Sequence, residues 1–411
     1  MKFKLTAQEK KWILYDVGNS AFVLLVSTIL PIYFNALAQG AGLSQVEYLA
    51  YWGYAAAAAT FLVALLGPLL GAVSDRRGRK KPLFFASVLL GVLCCSLLGF
   101  VDHWLWFLIV FIIAKIGYSG SLIFYDSMLG DITENDRMDS VSSQGYAWGY
   151  IGSCLPFLLC LGLVLGADFL GLSMAQAMLL SFLIVAVWWI GCTIPLLHSY
   201  RQKHYVEEKI HQNEFTQLWH TIKEAAKNKQ ILFFILAFFF YIDGVYTIID
   251  MATAYGTALG FDTAGLLLAL LATQIVAFPS SILIGRLSRK YGAVRLISLC
   301  ILAYFGIAVF AVFLSSPVHF WILAVAVGMF QGGIQALSRS HFTKIIPPEK
   351  SGEYFGLLDI CGKGASLLGT LTVSAVSQIT GNANLGVGAI AVFFLIGLFF
   401  FLRSVRPGQT E

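Results

Sequence analysis

A handful of ionisable residues stand inside stretches of almost pure hydrocarbon. Lys115 in "FIIAKIGYSG", Asp243 in "FFFYIDGVYT" and Lys363 in "LLDICGKGAS" lie deep within apolar runs, while Asp16, Asp126 and Arg339 sit nearer the ends of others. A charge in such surroundings costs several kcal/mol unless it is paired or wetted, so each of them is a candidate for chemical work. A carboxyl group there can take up and release a proton, and an ammonium group can hold an anion. Asp243 is accordingly the candidate for proton exchange, and Lys115 and Lys363 are candidates for holding an anionic group. Blander roles stay open. Asp359 and Lys363 are spaced i, i+4 with the acid first, the favoured order for a pair within one helix, which could neutralise both. Asp243 could do no more than neutralise Lys115. Tyr15, Asn19, Gln331 and Gln335 add neutral hydrogen-bonding groups for a polar cavity.

The elements that position these residues follow from composition. Of 411 residues, 58% are hydrophobic and only 12% charged, with mean hydropathy +0.79, too few polar residues to clothe a soluble protein of this length. Lipid is the expected solvent. The net charge of +5 comes from short basic clusters between apolar runs and not from a continuous face, which speaks against nucleic acid. Seven cysteines all fall inside apolar segments without a CxxC pair, so no disulfide framework is implied.

Twelve apolar runs are long enough to cross roughly 30 Å of hydrocarbon as helices, the one open form that satisfies its own backbone in lipid. Lysine and arginine test that count. The N-terminus, residues 73–82, Arg137, residues 198–230, 285–295 and 344–350, and the C-terminus carry nearly all of them, while the alternate loops carry none. By the positive-inside rule both termini are expected in the cytoplasm. The first run is read as a retained span instead of a cleaved leader, being too long and interrupted by Asp16, Asn19 and Pro31. The domains are expected at 1–197 and 231–411, six spans each, joined by a connector at 198–230 in which Phe215, Leu218, Trp219, Ile222 and Ala226 recur at helical spacing.

Within residues 67–85, "GPLLGAVSDRRGRKKPLFF", Gly71–Gly78 has a weak echo at Gly285–Gly292, and Leu129–Ile132 one at Phe342–Ile345, both at nearly the same offset. Asp126 and Arg339 fall at that offset, 213 residues apart, with opposite charges. A duplicated unit of six spans puts both copies the same way up, as two parallel repeats about an axis along the membrane normal.

The pattern G-x-x-x-D-R-x-G-R-K-K between spans two and three, in a six-plus-six architecture, resembles the loop signature of the major facilitator superfamily over the whole chain. "YDVGNSAF" at 15–22, "YIDGVYTII" at 241–249, "QALSRSHF" at 335–342 and "FGLLDICGKGASLLG" at 355–369 resemble its vacuole-effluxer-like, autophagy-related permease branch. The resemblance implies an all-α membrane fold of 12 transmembrane helices in two parallel six-helix repeats, working by alternating access. It also implies that Asp75 and Arg79 form a latch against the start of span eleven, Asp75 accepting from Arg79 and from free helix-terminal N–H groups. Spans four and ten would face each other across the cavity, which makes Asp126 and Arg339 a gating pair. The deep charges, with Asp359 and the neutral groups Tyr15, Asn19, Gln331 and Gln335, would then contact substrate.

No ATP-binding loop, no HExxH frame and no assembled catalytic constellation is present in the sequence, so neither an enzyme, a metal site nor a cofactor is expected. The leading reading is a monomeric secondary transporter in the cytoplasmic membrane, in contact with lipid. It would be proton-coupled and move a small polar or amphipathic solute, with an amino acid or small peptide as the first guess. A lipid transporter or scramblase on the same fold, favoured by the 33 phenylalanines, and a non-transporting receptor are the competing readings.

Overall fold

The computed structural model describes residues 3–207, 214–258 and 261–405, apart from some side chains within helices, that of Lys363 among them. It is almost entirely α-helical. Span one covers Ala7–Gly40 and breaks at Thr28, where Pro31 has no N–H to offer the Ser27 carbonyl. Spans two to six are Gln45–Ser74, Lys80–Leu97, Trp104–Ser127, Met138–Leu165 and Met174–Ser199. A connector helix, Glu214–Lys227, precedes spans seven to ten, Lys229–Ala258, Thr263–Tyr291, Ala293–Ala311 and Pro317–Ile345. Spans eleven and twelve are Ser351–Thr380 and Ala383–Ser404. Among the described residues 11 spans are long and apolar enough to cross a membrane, and span eleven, with 30 residues, completes the 12-helix fold.

Polar caps start the helices where lipid could not satisfy their first amides. Ser44 with Glu47 and Ser173 with Gln176 form reciprocal capping boxes, and Asp262 accepts from the Gly265 N–H. On the opposite, basic face, Thr6 and Glu9 do the same for span one.

The buried apolar side chains form two clusters. One draws on spans one to six around Trp12, Phe22, Phe111 and Trp189; the other on spans seven to twelve around Phe234, Tyr241, Tyr304 and Phe394, joined by Val63 and Ile123 of the first half. A shared plan is visible in one hydrogen bond. The Tyr15 hydroxyl lies 2.6 Å from Ser121 Oγ, and the Tyr241 hydroxyl lies 2.6 Å from Ser338 Oγ. That correspondence sets Ser121 against Ser338, about one helical turn (roughly 3.6 residues) away from the register the sequence echoes suggest. Asp126 and Arg339 are therefore not equivalent positions of the repeat, although they meet.

The two halves touch along spans two with eleven and five with eight, at glycines. A Cβ on Gly71 would stand 2.7 Å from the Gly352 carbonyl carbon, and one on Gly356 would stand 2.8 Å from the Gly67 carbonyl oxygen. Only hydrogen at these positions lets the backbones approach so closely.

The connector begins as a strap across the basic face of the first half. The Tyr200 hydroxyl donates to Asp131 Oδ2 at 2.5 Å, and the Lys203 and His204 N–H groups donate to Asp131 Oδ1. Gln202 donates to the Ser74 carbonyl and accepts from the Gly78 N–H, and the Val206 N–H donates to the Asp75 carbonyl at 2.8 Å. Farther on, Glu224 of the connector helix accepts from Lys350 of the second half at 2.6 Å.

Candidate functional site

A cavity of about 380 Å³ lies between the halves, lined by residues of spans one, four, five, seven, eight, ten and eleven. Its floor, toward the basic face, is built around Arg339. The guanidinium donates to Asp126 Oδ1 at 2.9 Å, to Asp16 Oδ2 at 3.4 Å and to the Ser142 hydroxyl and carbonyl at 2.9 and 3.0 Å. Rings wall it in: Trp12, Tyr125 and Tyr146 have centroids 4.6, 5.4 and 4.4 Å from its central carbon. Tyr125, stacked on Trp12 at 4.4 Å, also donates to Asp16 at 2.7 Å. One cation from the second half is thus held by three spans of the first, in a largely buried setting where charge-assisted bonds are strong. Asp16 stands out in sequence as a charge in an apolar run, but neither its pairing with Arg339 nor the aromatic cage has a signature there, because the partners lie roughly 190 to 330 residues from Arg339.

Below this floor the seam is closed again. Asp139 of span five accepts from Lys344 at 2.6 Å and from Ser340 at 2.7 Å, and Ser140 donates to the Gly285 carbonyl. Arg137 grips buried Glu9 through two bonds of 2.8 and 2.7 Å, and the Phe3 ring lies between Arg137 and Arg289 of the other half. Sequence reading missed these contacts; opposite charges at the basic ends of spans five and ten were the available signal.

At the edge of the seam, Asp75 accepts from the Gly352 and Glu353 N–H groups at 2.8 and 2.9 Å, the free donors at the start of span eleven. Its basic neighbour differs from expectation. Lys80, fully buried, lies 3.5 Å from Asp75 and donates to Ser351 at 2.8 Å, whereas Arg79 is exposed. The reason is the turn: Gly78 takes φ +72°, and span three starts at Lys80, aiming that side chain into the seam and Arg79 into solvent. Burial pushes the Asp75 carboxyl up to about 6, even though Lys80 and the two amides pull the other way.

The other sequence candidates divide. Asn19, Gln331, Gln335 and Asp359 line the cavity, and Tyr150 reaches Gln335 across the seam at 3.4 Å. Tyr15 does not line it. Its ring is fully buried against Phe84 and Tyr125, and its hydroxyl is spent on Ser121, because the face of span one that bears Tyr15 packs into its own bundle. Asp243 likewise points into its own half, 1% exposed, accepting from the Gly369 N–H of span eleven at 3.1 Å and from Thr247 at 3.2 Å. Asp250, two turns on, is the span-seven carboxylate that faces the cavity. Lys115 is half-buried with its ammonium 6.0 Å from the Phe111 ring and is not among the residues that line the cavity. The Lys363 side chain lies outside the described residues. Among the described residues no cluster of three or more metal-ligating side chains occurs.

Comparisons with known proteins agree with this geometry. The vacuole effluxer Atg22-like family model matches residues 7–407. An uncharacterized MFS-type transporter of Bacillus subtilis, YxiO, is 40% identical over 100% of this chain and 97% of its own. A multi-drug resistance efflux pump PmrA homolog of Lactococcus lactis is 27% identical, covering 88% and 86%. The crystal structure of FucP, a major facilitator superfamily transporter in the outward conformation, superposes with a TM-score of 0.73 at 13% identity over 98% of each chain. These relatives are transporters, not enzymes, and the chain, an integral membrane protein and secondary transporter of the major facilitator type, belongs to the vacuole effluxer Atg22-like family.

Proposed function

We propose that the protein exports a small polar or amphipathic solute, an amino acid or small peptide, across the cytoplasmic membrane by proton-coupled alternating access. The observation that carries this reading is the cavity itself: it sits at the seam of two bundles, has the volume of a small-ligand site, and is sealed on the basic side by the Arg339 cluster. With the basic face in the cytoplasm, beside anionic lipid, this is the inward-closed state, and the contacts of Asp75, Asp126, Asp139 and Arg339 are those that must part for the cavity to open inward. Asp250 lines the cavity and suits the ammonium end of a zwitterion, while Lys115, of opposite sign, is half-buried in span four outside the cavity lining. Asp243 is the proton site. Its described donors, a backbone amide and a hydroxyl, are neutral, so a proton is the simplest means of cancelling its charge inside the membrane. The cavity lies within one chain, and a monomer suffices.

The close glycine packing of spans two with eleven and five with eight on the basic half weighs against a scramblase, for which the halves would have to part sideways there.

The test is purified protein in proteoliposomes with an internal pH dye, screened against amino acids and dipeptides. Solute-driven pH change is expected in the wild type. In Asp243→Asn it is expected to vanish while exchange of labelled solute continues. A pH signal that persists in the variant sinks the coupling assignment, and a panel with no transported member sinks the solute class.

A further inference from the structure

Inside the second bundle lies an apolar recess of about 80 Å³, walled by side chains such as Ile307, Ala308, Leu323, Val327, Val387 and Ile390. Ile249, Gln274 and Gln331 line both this recess and the central cavity, so the two spaces adjoin there. The first bundle has its interior filled by rings. Phe107 packs on Tyr33 and Phe34 at 5.5 and 6.0 Å, and Phe111 on Trp52 at 4.6 Å. The asymmetry is therefore a property of this sequence and not of the helical plan.

At the mouth, Gln331 is 2% exposed and its side-chain Nε2 has no hydrogen-bond partner. A buried amide donor left bare costs about 1–3 kcal/mol, and it calls for an explanation. Water is a poor one. A buried water needs two to four polar partners, and in the wall Thr273 is spent on the Ala269 and Ala324 carbonyls, Thr247 on Asp243 and Tyr255 on the Ala311 carbonyl and Asn384, which leaves Gln274 as the remaining polar side chain beside Gln331 among the described lining residues.

We propose that this recess is a subsite for the cargo's apolar tail, with the Gln331 amide at its mouth donating to the cargo's polar head. The inference rests on the reading of the protein as a carrier of small amphipathic solutes and specifies that cargo further. Size sets the tail: a cavity of ~150 Å³ accepts benzene, so about 80 Å³ admits a short aliphatic group and turns away a ring. Leu323 sets the depth of the recess and Gln331 sets the anchoring of the head.

The experiment is calorimetric titration of the full chain in detergent with glycine, alanine, 2-aminobutyrate, norvaline and norleucine, and with phenylalanine. Affinity is expected to rise about fourfold per added methylene, as burial of each group predicts, until the recess is full, with phenylalanine weaker than the best aliphatic member. Leu323→Ala is expected to move the optimum to a longer chain. Gln331→Leu is expected to weaken every member by a similar factor and leave the optimum in place. A flat dependence on chain length, or an optimum that Leu323→Ala fails to move, overturns the subsite and leaves the transport reading standing. Binding by no member of the series overturns the solute class, and the subsite with it.

Discussion

Arg339 of span ten and Asp126 of span four stand 2.9 Å apart across the seam, and Asp16 of span one takes the remaining amino group of the same guanidinium. Breaking a buried pair by removing one partner costs roughly 3–5 kcal/mol, because a charge is left behind. Arg339→Gln strands two carboxylates and is expected to be the most damaging single change. Asp126→Asn and Asp16→Asn, which each leave one counter-charge, should be milder. Spin labels at exposed positions 79 and 290 check this: the interlabel distance should lengthen most in Arg339→Gln, and equal effects in all three would dismiss the shared clamp.

Gly145 lies under the same cluster. A methyl group there would collide with the Asp16 carboxylate and stand 3.0 Å from the nearer Arg339 nitrogen. Gly145→Ala is therefore expected to lower thermal stability and shift the protein toward the inward-open form, with a rise in cysteine labelling at position 126 in an Asp126→Cys background. Unchanged labelling would mean that the floor has room to spare.

The Asp75 latch carries a pH dependence whose sign can be worked out. With its carboxyl at about 6 in the closed seam and near the ordinary value of about 4 when the seam parts, the closed form binds the proton more readily. Its contribution to closure is then fully present below about 4 and lost as pH rises through about 6, a window on the order of 2–3 kcal/mol. Closure, followed by the same pair of labels, should strengthen on acidification from 7.5 to 5. Asp75→Asn should flatten that response; a variant that titrates like the wild type would assign the effect elsewhere.

Gly369 offers an independent handle on Asp243. Its N–H donates to that carboxylate, and an added Cβ would fall 2.6 Å from Oδ1 and clash with the Thr247 hydroxyl. Gly369→Ala is expected to lower solute-driven proton flux at least tenfold, a loss of about 1.4 kcal/mol in rate terms, with cavity binding retained in calorimetry. Loss of both together would instead point to a collapsed bundle.

Much of the architecture can be read from the chain because the bilayer imposes one rule on every residue: apolar runs of span length and basic loops on alternate turns define the crossings before any contact is known. The contact of Asp75 with the start of span eleven is expected from the resemblance of the loop signature. Its lysine is not, because the choice between Arg79 and Lys80 is made by a single positive φ at Gly78, a torsion that the motif does not encode. Tyr15 and Asn19 show the same limit. Both lie on span one four residues apart, on nearly the same face, yet one packs inward on Phe84 and the other lines the cavity, since the boundary between bundle interior and cavity is drawn by the neighbouring spans and not by the helix's own pattern. The Arg339 cage, Asp139 with Lys344, and the recess beside Gln331 depend on how two bundles dock, which local spacing does not determine.

Because residues 200–206 are stitched to Asp131 and to the 74–78 turn, the molecule's natural dividing line falls after the strap and not at the end of span six. Two separately expressed fragments cut after Glu207 would each keep their internal fastenings. A cut after Ser199 would send the stitching away with the wrong partner and leave Asp131 bare, so complementation by co-expression should succeed at the first position and fail at the second.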